Sequence, residues 1–299
     1  MSELDDLRAA TRDLLQDNAP VRSNLEDSAG IWKRLSSEMG LTSLPLEAPL
    51  SWTTTVLEET GRVLLRAPYL PTVIAAAALK AAGDDQHLSG LSDGSVTAAL
   101  ALEGLSVVPH AADASLLLVA REGELFVVDD FSVEPLETVD LTRPAGKVAA
   151  AQGRSIGSAD HARDLQHLAL AAESVGAAYR VLELVVEHLL VRTQFGRPLG
   201  SFQALRHRVA DLTVLVEAAT SSTWYAAQAT DDFPVAAPLA RALASEAFVT
   251  VTGEAIQLFG GIGFTWEHDA HLYFKRAWTT ALSHDPKALK KLAFQRSST

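Results

Sequence analysis

At 299 residues, 48% of them hydrophobic and none of them cysteine, the chain can bury one large core or two to three smaller ones, but it can hold neither a disulfide nor a thiolate-bound metal. Its net charge of −12 argues against a nucleic-acid or anionic-membrane surface. Aromatics make up only 6% while Ala and Leu are abundant, a balance that predicts helix over β-sandwich.

Residues 1–90 read as an N-terminal helical domain. The opening MSELDDLRAATRDLL is a charged amphipathic helix with Leu7, Leu14 and Leu15 at apolar positions, and it does not read as a signal peptide. Trp32, Leu35 and Met39 repeat the helical spacing. Pro45 and Pro49 mark a loop, and a further helix runs through Val56, Leu57 and Val63. Pro68 and Pro71 predict a break between helices, and Gly83-Asp84-Asp85 a stop. Residues 91–155 change character: SVTAALAL, ASLLLVA and ELFVVDD are short apolar or β-branched runs bounded by Gly, Asp and Pro, and they predict strands of a small β-domain. Helical periodicity returns from about Ala159, so residues 156–299 read as a C-terminal helical bundle. Val175, Tyr179, Leu182, Val186 and Leu189 predict one face of a helix ending near Arg192. No apolar run is expected to span a membrane, and the expected compartment is the cytoplasm.

Two segments stand out. RTQFGRPLGSFQALRHRVAD (residues 192–211) puts an arginine and an aromatic at the end of a helix, then a turn at Gly196-Arg197-Pro198, then a new helix. A cation there suits the helix dipole, and a guanidinium fork also suits phosphate oxygens. QLFGGIGFTWEHDAHLYFKRA (residues 257–277) puts Gln257 at a helix end just before Gly260 and Gly261. Glycines there serve as a helix stop, or let the backbone approach a ligand closely.

Both segments, with LEETGRVLLRAPYLPTVIAAAALKAAGDD and ADASLLLVAREGELFVVDD followed by VDLTRP, resemble the acyl-CoA dehydrogenase family over nearly the whole chain. The resemblance implies a mainly α fold with a reduced β-domain between an N-terminal helical domain and a C-terminal four-helix bundle. It also implies FAD as cofactor, an acyl-CoA thioester as substrate and an electron-transfer flavoprotein as electron acceptor. Arg192, Gln194 and Phe195 match positions where the family's arginine meets the FAD diphosphate across a subunit interface and its aromatic packs on the cofactor. Gln257, Gly260, Gly261 and Gly263 match positions that cover the adenosine and diphosphate part of a neighbouring subunit's FAD. Phe202 and Gln203 read as a packing pair, and His207 and Arg208 as a solvated or intersubunit face.

The resemblance also exposes two losses. The family abstracts a proton with a glutamate, in one location within a DLERL-like stretch. Here that stretch is Asp164-Leu165-Gln166-His167-Leu168, and an amide cannot take the proton. In the other location, a YEGT-like sequence, the chain reads Leu282-Ser283-His284-Asp285-Pro286. Asp285 and His284 are the weak candidates for a substitute base, set against ordinary turn chemistry in the same residues. Glu267 and Asp269 read as acids that start the next helix, and Glu173 as an acid inside an apolar helix face. In the β-domain, SVTAALALEG passes almost directly into LSVVPHAADASLLLVA, without the flavin-wrapping stretch. The first expectation is therefore a subunit without its own catalytic base, resembling the smaller subunits of heteromeric α2β2 actinobacterial steroid-type enzymes. It would lend residues to FAD held by a larger catalytic partner. A self-sufficient FAD-dependent enzyme using Asp285, and a scaffold without flavin, remain as alternatives.

Overall fold

The computed structural model describes residues 2–25, 28–104 and 106–298. The chain is mainly helical with a small β-region, as the composition predicts. It folds as two compact units, one of Met1–Leu57 with Leu65–Ala169, the other of Glu58–Leu64 with Leu170–Thr299.

In the first unit, α1 (Glu3–Asn18) starts from a capping box: the Asp5 N–H donates to Ser2 Oγ at 3.2 Å, and the Ser2 N–H donates back to Asp5 Oδ2 at 2.9 Å. The Ser2 N–H and the Ser2 hydroxyl, both donating to Asp5 Oδ2 at 2.9 Å, hold the Asp5 carboxyl below its usual range. In α2 (Ala29–Lys33), the Trp32 indole N–H donates to the Gly94 carbonyl at 3.1 Å. Next come α3 (Leu44–Glu47), α4 (Leu50–Arg62), α5 (Tyr69–Ala82) and α6 (Leu88–Asp93). The two prolines do not both lie in a break: Pro68 precedes α5, whereas Pro71 sits in its first turn, where a missing N–H costs no helical bond. Gly83 ends α5 in the left-handed conformation at φ 71°, and its N–H reaches the Lys80 carbonyl.

The strands are β1 (Ala98–Ala101), β2 (Val108–Pro109), β3 (Leu116–Arg121), β4 (Glu124–Val128), β5 (Phe131–Leu136), β6 (Ala145–Ala150) and β7 (Arg154–Ser158). They form one sheet in the order β1-β3-β4-β7, with β1 parallel to β3, and an antiparallel sheet in the order β2-β6-β5. The core between them combines Ala99, Ala101, Leu117, Val119 and Val128 of the first sheet with Val108 and Val148 of the second. The three expected strands are present. The segment VDLTRP is a turn instead, because the Asp140 carboxylate accepts from the Thr142 backbone N–H at 2.9 Å and bends the chain.

The second unit is a helical bundle of α7 (Asp160–Val191) from Leu170 onward, α8 (Gln203–Gln228), α9 (Phe233–Phe259), α10 (Ala270–Ser283) and α11 (Pro286–Ser297), with the last residues of α4. Central in it is α9, against which α8, α10 and α11 pack. The segment Phe233–Phe264 is long and apolar enough by length and composition to cross a membrane, contrary to the sequence expectation. Its apolarity is that of a core helix, rich in buried alanines such as Ala237, Ala240, Ala244 and Ala255. Pro238 inside α9 cannot donate to the Pro234 carbonyl, and the Arg296 guanidinium of α11 donates to that carbonyl instead, at 2.8 Å. On α7 the predicted face is buried at Val175, Leu182 and Leu189, half-buried at Tyr179, and exposed at Val186.

Two short strands, β8 (Thr193–Gln194) and β9 (Arg197–Pro198), complete the elements.

Candidate cofactor-facing site

The first segment forms a projection at the C-terminal end of α7. The Leu199 N–H donates to the Arg192 carbonyl at 2.8 Å, closing the β8–β9 hairpin at its base. The turn lies at Phe195-Gly196, not at Gly196-Arg197-Pro198: Phe195 has φ 54° and Gly196 φ 77°, while Arg197 and Pro198 form β9. A two-residue hairpin needs two left-handed residues, and glycine supplies only the second without strain. Phe195 therefore holds a disfavoured backbone conformation while the residue is 90% exposed. Its neighbour is Phe202, with ring centres 6.1 Å apart, and the Arg197 guanidinium covers Phe202 at 4.0 Å. The expected pair of Phe202 and Gln203 is thus split: Gln203 points toward His207, 3.5 Å away. His207 and Arg208 are exposed, and Arg208 pairs with Glu254.

The second segment forms the end of α9 and the turn beyond it. Gln257 is exposed on the last helical turn. Gly260 has φ 66° and ψ −142°, a region closed to residues with a Cβ. A Cβ on Gly260 or Gly261 would meet nothing within 4 Å, so the backbone there opens onto free space. Gly263 differs, for its Cβ would lie 2.8 Å from the Ile256 carbonyl oxygen, which makes it a packing glycine. Asp269 stands at the N-cap of α10 and Glu267 in the turn before it, the helix-start role predicted for them.

The fold brings the two segments together. His188, one helical turn before Arg192, meets Phe259 edge-on with ring centres 5.3 Å apart, and Phe259 directly precedes Gly260. His268 lies 4.1 Å from the other partner ring, also Phe259. Burial, then the charges of His268 and Arg192, hold the His188 imidazole below its ordinary pKa. Sequence reading passed over His188 and His268, although the spacing of four between His188 and Arg192 places both on one helix face. Arg192, Gln194, Phe195, Gln257, Gly260 and Gly261 are all exposed. Arg192 has no ion pair among the described residues. An unspent guanidinium, a donor-acceptor amide, open glycine backbone and a bare aromatic ring fit a dinucleotide's diphosphate and adenosine.

The proton-transfer candidates look different. Gln166 is half-buried on α7, and its Oε1 accepts no hydrogen bond among the described residues. Asp285 is exposed and caps α11, accepting from the Lys287 N–H at 3.1 Å. His284 beside it is half-buried. Glu173 is buried, as its apolar face predicts, and it is bound by the Arg276 guanidinium at 2.8 Å.

Residues 158–284 match the family described as "Acyl-CoA dehydrogenase, C-terminal domain". The chain is 39% identical over 276 residues to the acyl-CoA dehydrogenase IpdE2 of Mycobacterium tuberculosis, covering 88% of this chain and 86% of that protein. Among solved structures, a variant of the Tcur3481–Tcur3483 steroid ACAD superposes with a TM-score of 0.89 at 27% identity, over 99% of both chains. The ChsE4–ChsE5 complex from Mycobacterium tuberculosis shares the fold, with a TM-score of 0.85 at 23% identity over 100% of this chain and 97% of that one. The chain belongs to the acyl-CoA dehydrogenase family, FAD-dependent oxidoreductases that act on acyl-CoA thioesters.

Proposed function

We propose that this chain is the FAD-contacting, base-deficient subunit of a heteromeric acyl-CoA dehydrogenase. The carrying observation is the contrast between its two sets of residues: those matching the family's FAD-contacting positions are present and exposed, while the position matching the family's glutamate holds Gln166. Bound FAD supplies the hydride acceptor. Arg192 binds the diphosphate, Gln257 hydrogen-bonds the adenosine side, the Gly260–Gly261 backbone allows close approach, and Gln194 and Phe195 line the cofactor. A larger catalytic subunit holds most of the FAD and supplies the base, in an α2β2 heterotetramer. Unit two leaves Trp266, Trp278, Leu282 and Phe294 exposed, a surface that suits burial by other subunits. Names of the similar proteins, a steroid ACAD and a two-component complex, support a steroid-derived acyl-CoA and a paired subunit. An electron-transfer flavoprotein takes the electrons, and the compartment is the cytoplasm. A self-sufficient enzyme based on Asp285 is disfavoured, because that carboxylate is committed to capping α11.

Flavin absorbance of the chain purified alone and co-expressed with a larger, glutamate-bearing acyl-CoA dehydrogenase subunit from the same organism tests the reading. Colourless protein alone and a yellow complex with about one FAD per pair of subunits is the expected result. A yellow homo-oligomer bleached by an acyl-CoA without a partner sinks it.

A further inference from the structure

The ring that joins the two segments is flanked by two histidines, neither of which the proposed function uses. His188 of α7 meets Phe259 at 5.3 Å, and His268 before α10 meets the same ring at 4.1 Å, tilted by 43°. His268 Nδ1 accepts the Ala270 N–H at 3.0 Å, which leaves the neutral ring's proton on Nε2. Both rings are half-buried and lie at the end of the unit that carries Arg192 and Gly260.

We propose that His188 and His268 form, with Arg192, a three-group receptor for the FAD diphosphate, one imidazole taking up a proton from solvent as the diphosphate seats. This rests on the reading that the face carries FAD. The charges that act on His188 are Arg192 on its own helix and His268 at the start of α10, both cationic in kind. Carboxylates also stand near the two rings, among them Asp269, half-buried and directly after His268. Glu187 on α7 pairs with Arg180, and Glu254 on α9 pairs with Arg208 of α8. Glu267, beside His268, is exposed. Without ligand, burial first and then the Arg192 charge, with that of His268 whenever it is protonated, keep His188 neutral. A diphosphate reverses the local sign of charge and favours the imidazolium. A lone arginine gives a clamp indifferent to pH near neutrality, whereas this cluster gives one that tightens as pH falls.

The test uses the co-expressed complex, stripped of flavin and retitrated with FAD between pH 5.5 and 8.5 by fluorescence quenching. Calorimetry in two buffers of different ionisation enthalpy counts the protons taken up. The native complex is expected to lose roughly tenfold in FAD affinity from pH 6 to pH 8, with net proton uptake on binding. His188→Phe keeps a ring on Phe259 but cannot titrate, and His268→Gln keeps the acceptor for Ala270; either is expected to flatten the profile. A flat native profile, or an unchanged slope in both variants, overturns the receptor. Arg192→Ala separates the two readings: if it leaves FAD affinity unchanged, the cofactor-facing assignment itself fails. If Arg192→Ala weakens binding while both histidine variants keep the native slope, only the histidine role fails. A complex that binds no FAD overturns both.

Discussion

Gly61 of α4 and Gly176 of α7 are reciprocal contacts, each lying on the backbone of the glutamate three residues before the other. A Cβ on Gly61 would fall inside van der Waals contact with the Glu173 carbonyl oxygen, and one on Gly176 inside contact with the Glu58 carbonyl oxygen. The repeated spacing, EETG in one helix and ESVG in the other, lets two backbones touch where any side chain would wedge them apart. Gly61→Ala and Gly176→Ala are each expected to destabilise the unit by about 1–3 kcal/mol despite alanine's better helix propensity. Denaturant unfolding checks this, and a stabilised alanine variant would show that the helices can separate without cost.

The same crossing carries the buried pair of Glu173 and Arg276. With Arg276 1% exposed and Glu173 7% exposed at the side chain, neither charge has water to fall back on. Removing one partner takes a buried counter-charge from the other, so Arg276→Met and Glu173→Leu singly are expected to cost about 3–5 kcal/mol. The double variant is expected to recover most of that loss. A double-mutant cycle in guanidinium reads the coupling, and additive losses would mean that the pair is not a unit.

How much of this was legible depends on whether the signal was local. The end of α7 near Arg192, the end of α9 before Gly260 and the stop at Gly83 each follow from caps and glycines within a few residues. Strand β7 escaped because it faces solvent at most positions, and β5 because Pro135 interrupts a short alternation with no fully buried residue. Val186 was misjudged because a 32-residue helix changes neighbours along its length, so one apolar stripe need not stay covered. The Glu173–Arg276 pair spans 103 residues of sequence, and the His188–Phe259–His268 stack needs three elements. No window of sequence contains either.

Acid should act on the unit through Glu183. Burial pushes its carboxyl up, but Arg62 and then Arg180 outweigh burial, and the net position is below the ordinary value of 4.5. Arg62 binds it at 2.6 Å and Arg180 at 3.1 Å. A carboxyl depressed in the folded state contributes stability above its unfolded pKa and loses it as pH falls through the folded one. Glu183→Gln is therefore expected to be less stable than the native chain at pH 7, with the gap closing below pH 4.5. Thermal unfolding at pH 7, 5 and 3.5 measures the gap, and a gap independent of pH would remove the ion pair as its cause.

Phe195 sets stability against function at a single residue. Its φ of 54° is a cost of the two-residue hairpin, and burial gives little in return, the residue being 90% exposed. Glycine takes that backbone conformation without strain, so Phe195→Gly is expected to leave the isolated chain equally stable or more stable by about 0.5–1 kcal/mol. If the ring is held out to line FAD, the same substitution is expected to lower flavin retention in the complex severalfold. Melting temperature of the isolated chain and flavin content of the complex are read side by side. Opposite movement of the two supports strain kept for the cofactor. A Phe195→Gly chain that loses stability alone would instead place the ring's role inside its own hairpin, through its edge-on contact with Phe202.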